Sequence, residues 1–375
     1  MSANSTCHNN FRRINYSAAN PNPNSRILVI GGAGYVGSVL CRELLKLNYK
    51  IRILDRLLYG DECLKHFSAL PQVVEAPGAI QCYISDFRNV NQVIEAMDGI
   101  DTVIHLGAIV GDAACQINPQ NTIQTNYVAT RTIAQIAKVL SVKRLVFAST
   151  CSVYGASNEK LTERSSLNPV SLYARTKINA EQAILATISH NFNPVILRFA
   201  TIYGISPRPR FDLIVNLLSA KAQAERKITI TGGQQWRPFV HVTDVAHAII
   251  KVIQAPNELV RGQIFNVGAS QENYQINQLG RIIKSLYPDV QIITEANNLD
   301  QRNYYVKFDK IKNTLNFTNS RTISDGVKEV GNALQTGEIK NYRRPYYNNY
   351  LALKMLATPK VLESALGGLR QLVIS

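Results

Sequence analysis

No apolar run in this chain reaches the ~18 residues that a membrane-spanning helix needs. The first 25 residues also lack the apolar stretch of a secretory signal. They are rich in Asn, Ser and Pro, so Met1 to Ser25 is expected to be a disordered tail. Cysteine is sparse, six in 375 residues, with no disulfide framework and no paired metal-ligand spacing. That favours a reducing cytoplasm and gives no metal site to expect. Acidic residues are outnumbered, 26 Asp+Glu against 41 Lys+Arg, for a formal charge of +15. A basic surface attracts nucleic acid, acidic membrane or phosphorylated small molecules. No nucleic-acid module signature accompanies it. Most of the excess is expected to be solvated surface, with a smaller part favouring a diphosphate-bearing substrate. No solenoid-type repeat is present.

What is present is an alternation. Short apolar runs at Arg26–Ile30, Ile51–Asp55, Ile80–Ser85, Thr102–His105 and Arg144–Ser149 read as buried strands. Helical spacing separates most of them, at 35–47, 90–97 and 123–140, and a helix at 171–190 precedes a strand at Pro194–Arg198. Strands alternating with helices imply a Rossmann-type, doubly wound parallel sheet with right-handed crossovers. Beyond Phe199 the alternation loosens. Short strands are expected at Ile228–Ile230 and Ile264–Val267. Helices are expected at Asp244–Gln254, capped by Thr243, and from Ser324 towards Leu334. The division that follows is a tail at 1–25, a dinucleotide domain at 26–198, a smaller C-terminal α/β substrate-binding lobe at 199–337, and a tail at 338–375. The last carries a helical pattern at Val361–Leu366.

The first strand ends in Gly31-Gly-Ala-Gly-Tyr-Val-Gly37. Gly31 permits a tight turn, Gly34 lets backbone approach a pyrophosphate, and Gly37 allows close helix–strand packing. Tyr35 and Val36 open the helix whose N-terminus would face the anion. Asp55 ends the next strand, where a carboxylate accepts hydrogen bonds from both ribose hydroxyls and repels a 2′-phosphate. NAD is therefore expected over NADP, although Arg56 next door is of the type that pairs with a 2′-phosphate.

Downstream, a strand runs into Ser149-Thr150, and Ser171-Leu-Tyr-Ala-Arg-Thr-Lys177 follows. Tyr173 and Lys177 lie one helical turn apart on one face. An ammonium beside a phenol lowers its pKa, and a phenol so tuned exchanges a proton with a substrate hydroxyl. Thr150 would orient the substrate oxygen. His105 and His241 sit in strand-like runs and are expected to be structural.

From Arg26 to Leu334 the chain resembles the extended short-chain dehydrogenase/reductase family, which holds the nucleotide-sugar epimerases and dehydratases. The resemblance rests on the glycine loop, Asp55 with Leu57-Leu-Tyr-Gly60, Asp86-Phe87, His105-Leu-Gly-Ala108, Asn126 and Ser149-Thr-Cys-Ser-Val-Tyr-Gly155. It continues through Tyr173-Ala-Arg-Thr-Lys177, Leu197–Gly204, Arg237–Asp244, Phe265–Gly268 and Asp300-Gln-Arg302. It implies that Asp86 and Phe87 flank the adenine, that Leu106, Gly107 and Ala108 line the cofactor channel, and that Asn126 braces the site. Thr150, Tyr173 and Lys177 would be the catalytic set. Arg237 would grip the substrate diphosphate, with Asn216 and Arg302 as further substrate contacts. Ser152 and Thr201 stand at substrate-facing places in relatives.

Two departures narrow the reading. Family sugar 4,6-dehydratases carry Asp-Glu after the catalytic Thr, where this chain has Cys151 and Ser152, so dehydration is set aside. Thr201 replaces the Asn of UDP-galactose-type epimerases, and Gly107 replaces the usual Ala. The expectation is an NAD-dependent nucleotide-sugar epimerase, cytoplasmic and homodimeric. An NAD(P)H-dependent reductase or dehydrogenase of a keto sugar is the alternative, and a non-catalytic dinucleotide sensor the third.

Overall fold

The computed structural model describes residues 25–76, 78–296 and 302–357, with the backbone of 370–373. In chain order its strands are β1 (Arg26–Ile30), β2 (Lys50–Asp55), β3 (Ile80–Ile84), β4 (Thr102–His105), β5 (Arg144–Thr150), β6 (Ala156–Leu161), β7 (Asn193–Phe199) and β8 (Thr201–Tyr203). There follow β9 (Lys227–Thr231), β10 (Trp236–His241), β11 (Ile264–Val267), β12 (Asn273–Gln275), β13 (Gln291–Glu295), β14 (Asn303–Val306) and β15 (Arg370–Val373).

The main sheet has the order β11-β7-β5-β4-β1-β2-β3-β15. All its pairings are parallel except β15 on β3. Strands buried on both faces need apolar runs, which β1 and β7 supply, while β4 is buried along its length with polar Thr102 and His105 at its ends. The order reverses between β1 and β4, and the crevice outside the carboxyl ends at such a point is where open α/β sheets take ligands. No helix among the described residues is long and apolar enough to cross a membrane.

The sheets do not divide at residue 198. β11, expected in the second lobe, pairs with β7 at the edge of the main sheet, in register Ile264 with Ile196. Helix Val242–Gln254 packs against helix Tyr35–Lys46 beneath that sheet. The smaller lobe is what remains: β12-β10-β8, the β13-β9 pair and the helices Ile214–Glu225, Ile276–Leu286 and Ile323–Gln335 around Val215, Ile228, Phe239, Leu279 and Val327.

Two helix starts also differ from expectation. His241 rather than Thr243 caps Val242–Gln254, its Nδ1 accepting from the Thr243 N–H at 3.2 Å. Thr322 rather than Ser324 begins Ile323–Gln335, in a capping box with Asp325. The 338–375 tail is helical at Asn349–Leu356. The expectations for residues 1–24 and for Val361–Leu366 lie outside the described residues, as do the first two positions of Asp300-Gln-Arg302.

Candidate active site

Two cavities open at the carboxyl ends of the main sheet, and Tyr173 lines both. The first follows the glycine loop. Gly34 caps helix Tyr35–Lys46 without any side-chain bond, so the helix N–H groups stay available to an anion. A Cβ on Gly37 would stand 2.2 Å from the Gly31 carbonyl oxygen, so the helix can press on the loop only with glycine there.

Asp55 ends β2 with its Oδ2 accepting from the Ala33 N–H at 3.0 Å and its Oδ1 from the Leu57 N–H at 2.9 Å. Each carboxylate oxygen keeps acceptor capacity for a ribose hydroxyl. Burial raises the Asp55 pKa, against those two N–H groups and the charge of Arg208. Arg56, the residue that would answer a 2′-phosphate, is paired with Asp86 at 3.1 Å. Asp86 also receives Arg88 at 2.6 Å.

Tyr35, Val36, Phe87, Leu106, Gly107, Ala108 and Lys177 complete the wall with Gly31, Gly34, Gly37, Asp55 and Asp86. Gly107 stands where the family usually has Ala, and Phe87 explains it: a Cβ at 107 would lie 2.7 Å from the Phe87 ring. Asn126 is not in the wall. It sits below, buried, accepting from the Ile109 N–H at 2.8 Å and donating to the Ile109 oxygen at 2.9 Å. It thereby fixes the loop that follows β4.

The second cavity is lined by Thr150, Ser152, Thr201, Arg237 and Arg302. Arg237 is 4% exposed, its Nη1 donates to the Trp236 oxygen at 2.7 Å, and its guanidinium lies 5.2 Å from the Tyr304 ring centre. Ser152 Oγ approaches the Tyr304 hydroxyl at 3.4 Å, and Arg302 pairs with Asp112 at 3.5 Å. Asn216 does not reach this cavity. It is fully buried, with its amide spent on the Gly204 N–H, the Gly204 and Arg210 carbonyls and the Tyr35 hydroxyl. Its work is to tie the second lobe to the start of the dinucleotide helix.

Tyr173 and Lys177 share a helix face, but their electrostatics differ from the sequence expectation. The Lys177 ammonium donates to the Ala148 oxygen at 2.7 Å and lies 5.9 Å from the Tyr173 ring centre. Burial is the largest influence on both groups. It pushes the Tyr173 phenol up, with Arg210 and the Thr150 hydroxyl working against it, and brings Lys177 down to about 8. Burial thus favours the protonated phenol, and positive charge placed beside it would favour the phenolate. Cys151 is buried, and its thiol, bonded to the Arg198 oxygen at 3.3 Å, is pushed up by burial.

His105 is fully buried, with Nε2 2.9 Å from the Thr130 hydroxyl. Burial, helped by the Lys177 charge, brings its pKa down to about 3. Unfolded, a histidine titrates near 6.5, so below that pH the unfolded chain holds a proton that the native chain does not. Stability from this group is complete above about pH 6.5 and falls by about 1.4 kcal/mol per pH unit on acidification. A His105→Gln variant should therefore lose less stability than the parent between pH 6.5 and 4.5, by roughly 2–3 kcal/mol in denaturant melts. Equal losses would show that His105 does not titrate this way.

Sequence reasoning missed Arg208, Arg210, Tyr59, Asp112 and the segment Asn348–Leu351, which also line these cavities. The signal for the first two was present in the run Ser206-Pro-Arg-Pro-Arg210, two arginines in a loop.

A model of the NAD-dependent epimerase/dehydratase family matches residues 27–268. The chain belongs to that family. It is an enzyme of the extended short-chain dehydrogenase/reductase type, and the uncapped helix start, Asp55 and the glycine loop fit the family's NAD. Among similar proteins is an uncharacterized UDP-glucose epimerase, YtcB, of Bacillus subtilis strain 168. It is 28% identical over 308 residues, 80% of this chain and 95% of the relative. A UDP-N-acetyl-alpha-D-glucosaminuronate decarboxylase of Bacillus cytotoxicus is 29% identical over 298 residues, 76% of this chain and 84% of its own length. The solved structure of a UDP-glucuronic acid 4-epimerase from Bacillus cereus, in complex with NAD, superposes with a TM-score of 0.70 at 25% identity. It covers 83% of this chain and 99% of its own. The relatives thus share a scaffold and differ in reaction.

Proposed function

We propose that the chain is an NAD-dependent nucleotide-sugar epimerase that works through a transient keto sugar. The observation that carries this is the place of Tyr173, at the junction of the dinucleotide cavity and the arginine-bearing cavity. NAD, when bound, supplies reversible hydride transfer at one sugar carbon. Tyr173 takes the proton of the sugar hydroxyl as that carbon is oxidised and returns it when the carbon is reduced on its other face. Thr150 orients the hydroxyl, and Lys177 holds the nicotinamide ribose and contributes positive charge near the phenol. Arg237 and Arg302 are assigned to the diphosphate, Ser152 and Thr201 to the sugar side. Cys151 and Ser152, in place of an acid–base pair, argue against dehydration. The names of the relatives favour a uridine diphosphate carrier. The five described cysteines are buried and unpaired, which suits a reducing cytoplasm. We take the enzyme to be a homodimer.

The test is to incubate purified protein and NAD with UDP-glucose, UDP-glucuronate and their N-acetylamino counterparts, and to follow the sugar by NMR. An epimer formed without net NADH supports the reading. Stoichiometric NADH, or release of carbon dioxide from the uronate, replaces it with a dehydrogenase or a decarboxylase.

A further inference from the structure

The loop 204–210 runs over the start of the dinucleotide helix. Tyr35, the first residue of that helix, donates its hydroxyl to the Gly204 oxygen at 2.7 Å, and the Arg210 guanidinium lies 6.0 Å from the Tyr35 ring centre. Arg208 and Arg210 both line the dinucleotide cavity. They differ in how they are held. Arg210 has its own counter-ion, Asp212, through Nε at 3.0 Å and Nη2 at 2.7 Å. Arg208 has no ion pair among the described residues, although it is only 4% exposed. Its guanidinium stacks 3.8 Å from the centre of the Tyr59 ring. Both bonds that hold it use Nη2, to Asn349 Oδ1 at 2.8 Å and to the Tyr346 oxygen at 3.1 Å, and its buried Nε has no partner among the described residues. Burial works against the Arg208 charge, Asp212 and Asp55 offset it only from beyond ion-pair distance, and an anionic ligand in the cavity relieves the remaining cost.

What fixes Arg208 lies far along the chain. Asn349 opens the helix Asn349–Leu356 and is 3% exposed. Its Nδ2 donates to the Val110 oxygen at 3.0 Å, beyond β4. Before it, Arg344 pairs with Glu62 at 3.0 Å, and the Phe211 N–H donates to the Tyr347 oxygen at 2.7 Å. The C-terminal arm thus bridges the smaller lobe and the dinucleotide half directly beside the cavity.

We propose that Arg208 binds the diphosphate of the dinucleotide opposite the glycine loop, and that the C-terminal arm, through Asn349, is the positioning element that keeps it there. Cofactor retention then depends on residues outside the span that the family model matches. The inference rests on the NAD site described above.

The experiment is calorimetric binding of NAD, ADP-ribose and adenosine to the full-length parent, Arg208→Gln and Asn349→Ala, with the melting temperature of each ligand-free protein as a check on folding. Arg208→Gln should raise Kd for NAD and for ADP-ribose about tenfold or more, the scale of a lost charge-assisted bond. Adenosine, which has no phosphate, should bind within twofold of the parent. Asn349→Ala, which keeps the guanidinium but frees it, should raise Kd for NAD by roughly threefold to tenfold. Unchanged NAD affinity in Arg208→Gln, or in Asn349→Ala should the first variant not fold, overturns the proposal. Equal loss for adenosine removes the diphosphate assignment. A parent that binds no NAD defeats the NAD site itself, so the two failures are distinguishable.

Discussion

Replacing Tyr173 by Phe is expected to lower turnover by roughly 10³-fold or more, the range over which a positioned proton-transfer group acts. The variant loses one hydroxyl and keeps the ring, so packing against Ile109 and Cys115 is preserved. NAD affinity should stay within about twofold, because the glycine loop and Asp55 are untouched. The pH profile sharpens the test. Burial pushes the phenol up, and Lys177 at about 8 is the group beside it whose charge is lost as pH rises. Turnover by the parent should therefore fall as pH passes above about 8 in the absence of a ligand-induced shift, and Lys177→Met should be slow at every pH. The measurement is single-turnover epimerisation of the substrate identified by the NMR screen, alongside calorimetric titration with NAD. A Tyr173→Phe enzyme within tenfold of the parent would remove Tyr173 from the acid–base role.

The parts of the molecule legible in the sequence are those where function and local structure coincide. β1, its glycine turn and helix Tyr35–Lys46 are contiguous, so apolar run, turn chemistry and helical spacing identify them together. β4 and β11 fall where the runs Thr102–His105 and Ile264–Val267 place them. The allegiance of β11 was not legible, because a four-residue apolar strand suits either sheet and only pairing with β7 decides it. β10 was legible only at its end, in the strand-like run around His241, because Arg237-Pro238 interrupts its start and Pro is rare inside a sheet. The His241 cap was missed because a ring nitrogen did what Ser, Thr, Asp or Asn ordinarily does.

Site residues divide along the same line. Thr150, Tyr173 and Lys177 follow strand and helix, and their meeting is a consequence of the parallel sheet. Asn216 shows the opposite case. Its place in the chain suggested a ligand contact, but four polar groups from three other residues consume its amide. Arg208 was visible as a loop arginine, but its partners were not, because the groups that hold it are brought in by a segment 141 residues later. No local pattern carries such a contact, since long-range closure is decided by packing rather than propensity.

The substrate end of the site gives the second large expected effect. Arg237→Ala should raise KM for the nucleotide sugar by roughly 10–100-fold, the scale of losing bonds to a charged partner, and should change NAD affinity by less than about twofold. The bland reading, an arginine held by Asp244, has little room. Asp244 is fully buried and already accepts from the Ser320 N–H at 2.9 Å, the Ser320 hydroxyl at 2.6 Å and the Arg321 N–H at 3.2 Å. Arg237 instead faces the second cavity across the Tyr304 ring. A planar fork matches a diphosphate in a way that an ammonium does not, so Arg237→Lys should keep only part of the affinity. Arg302 shares its charge with Asp112 at 3.5 Å, so Arg302→Ala should cost less than Arg237→Ala. Thermal shifts with UDP-, GDP-, CDP- and dTDP-sugars on parent and variants, followed by steady-state kinetics on whichever nucleotide stabilises the parent, make the comparison. Equal stabilisation of parent and Arg237→Ala, with KM within twofold, would take the diphosphate away from Arg237 and leave its guanidinium as packing for Tyr304.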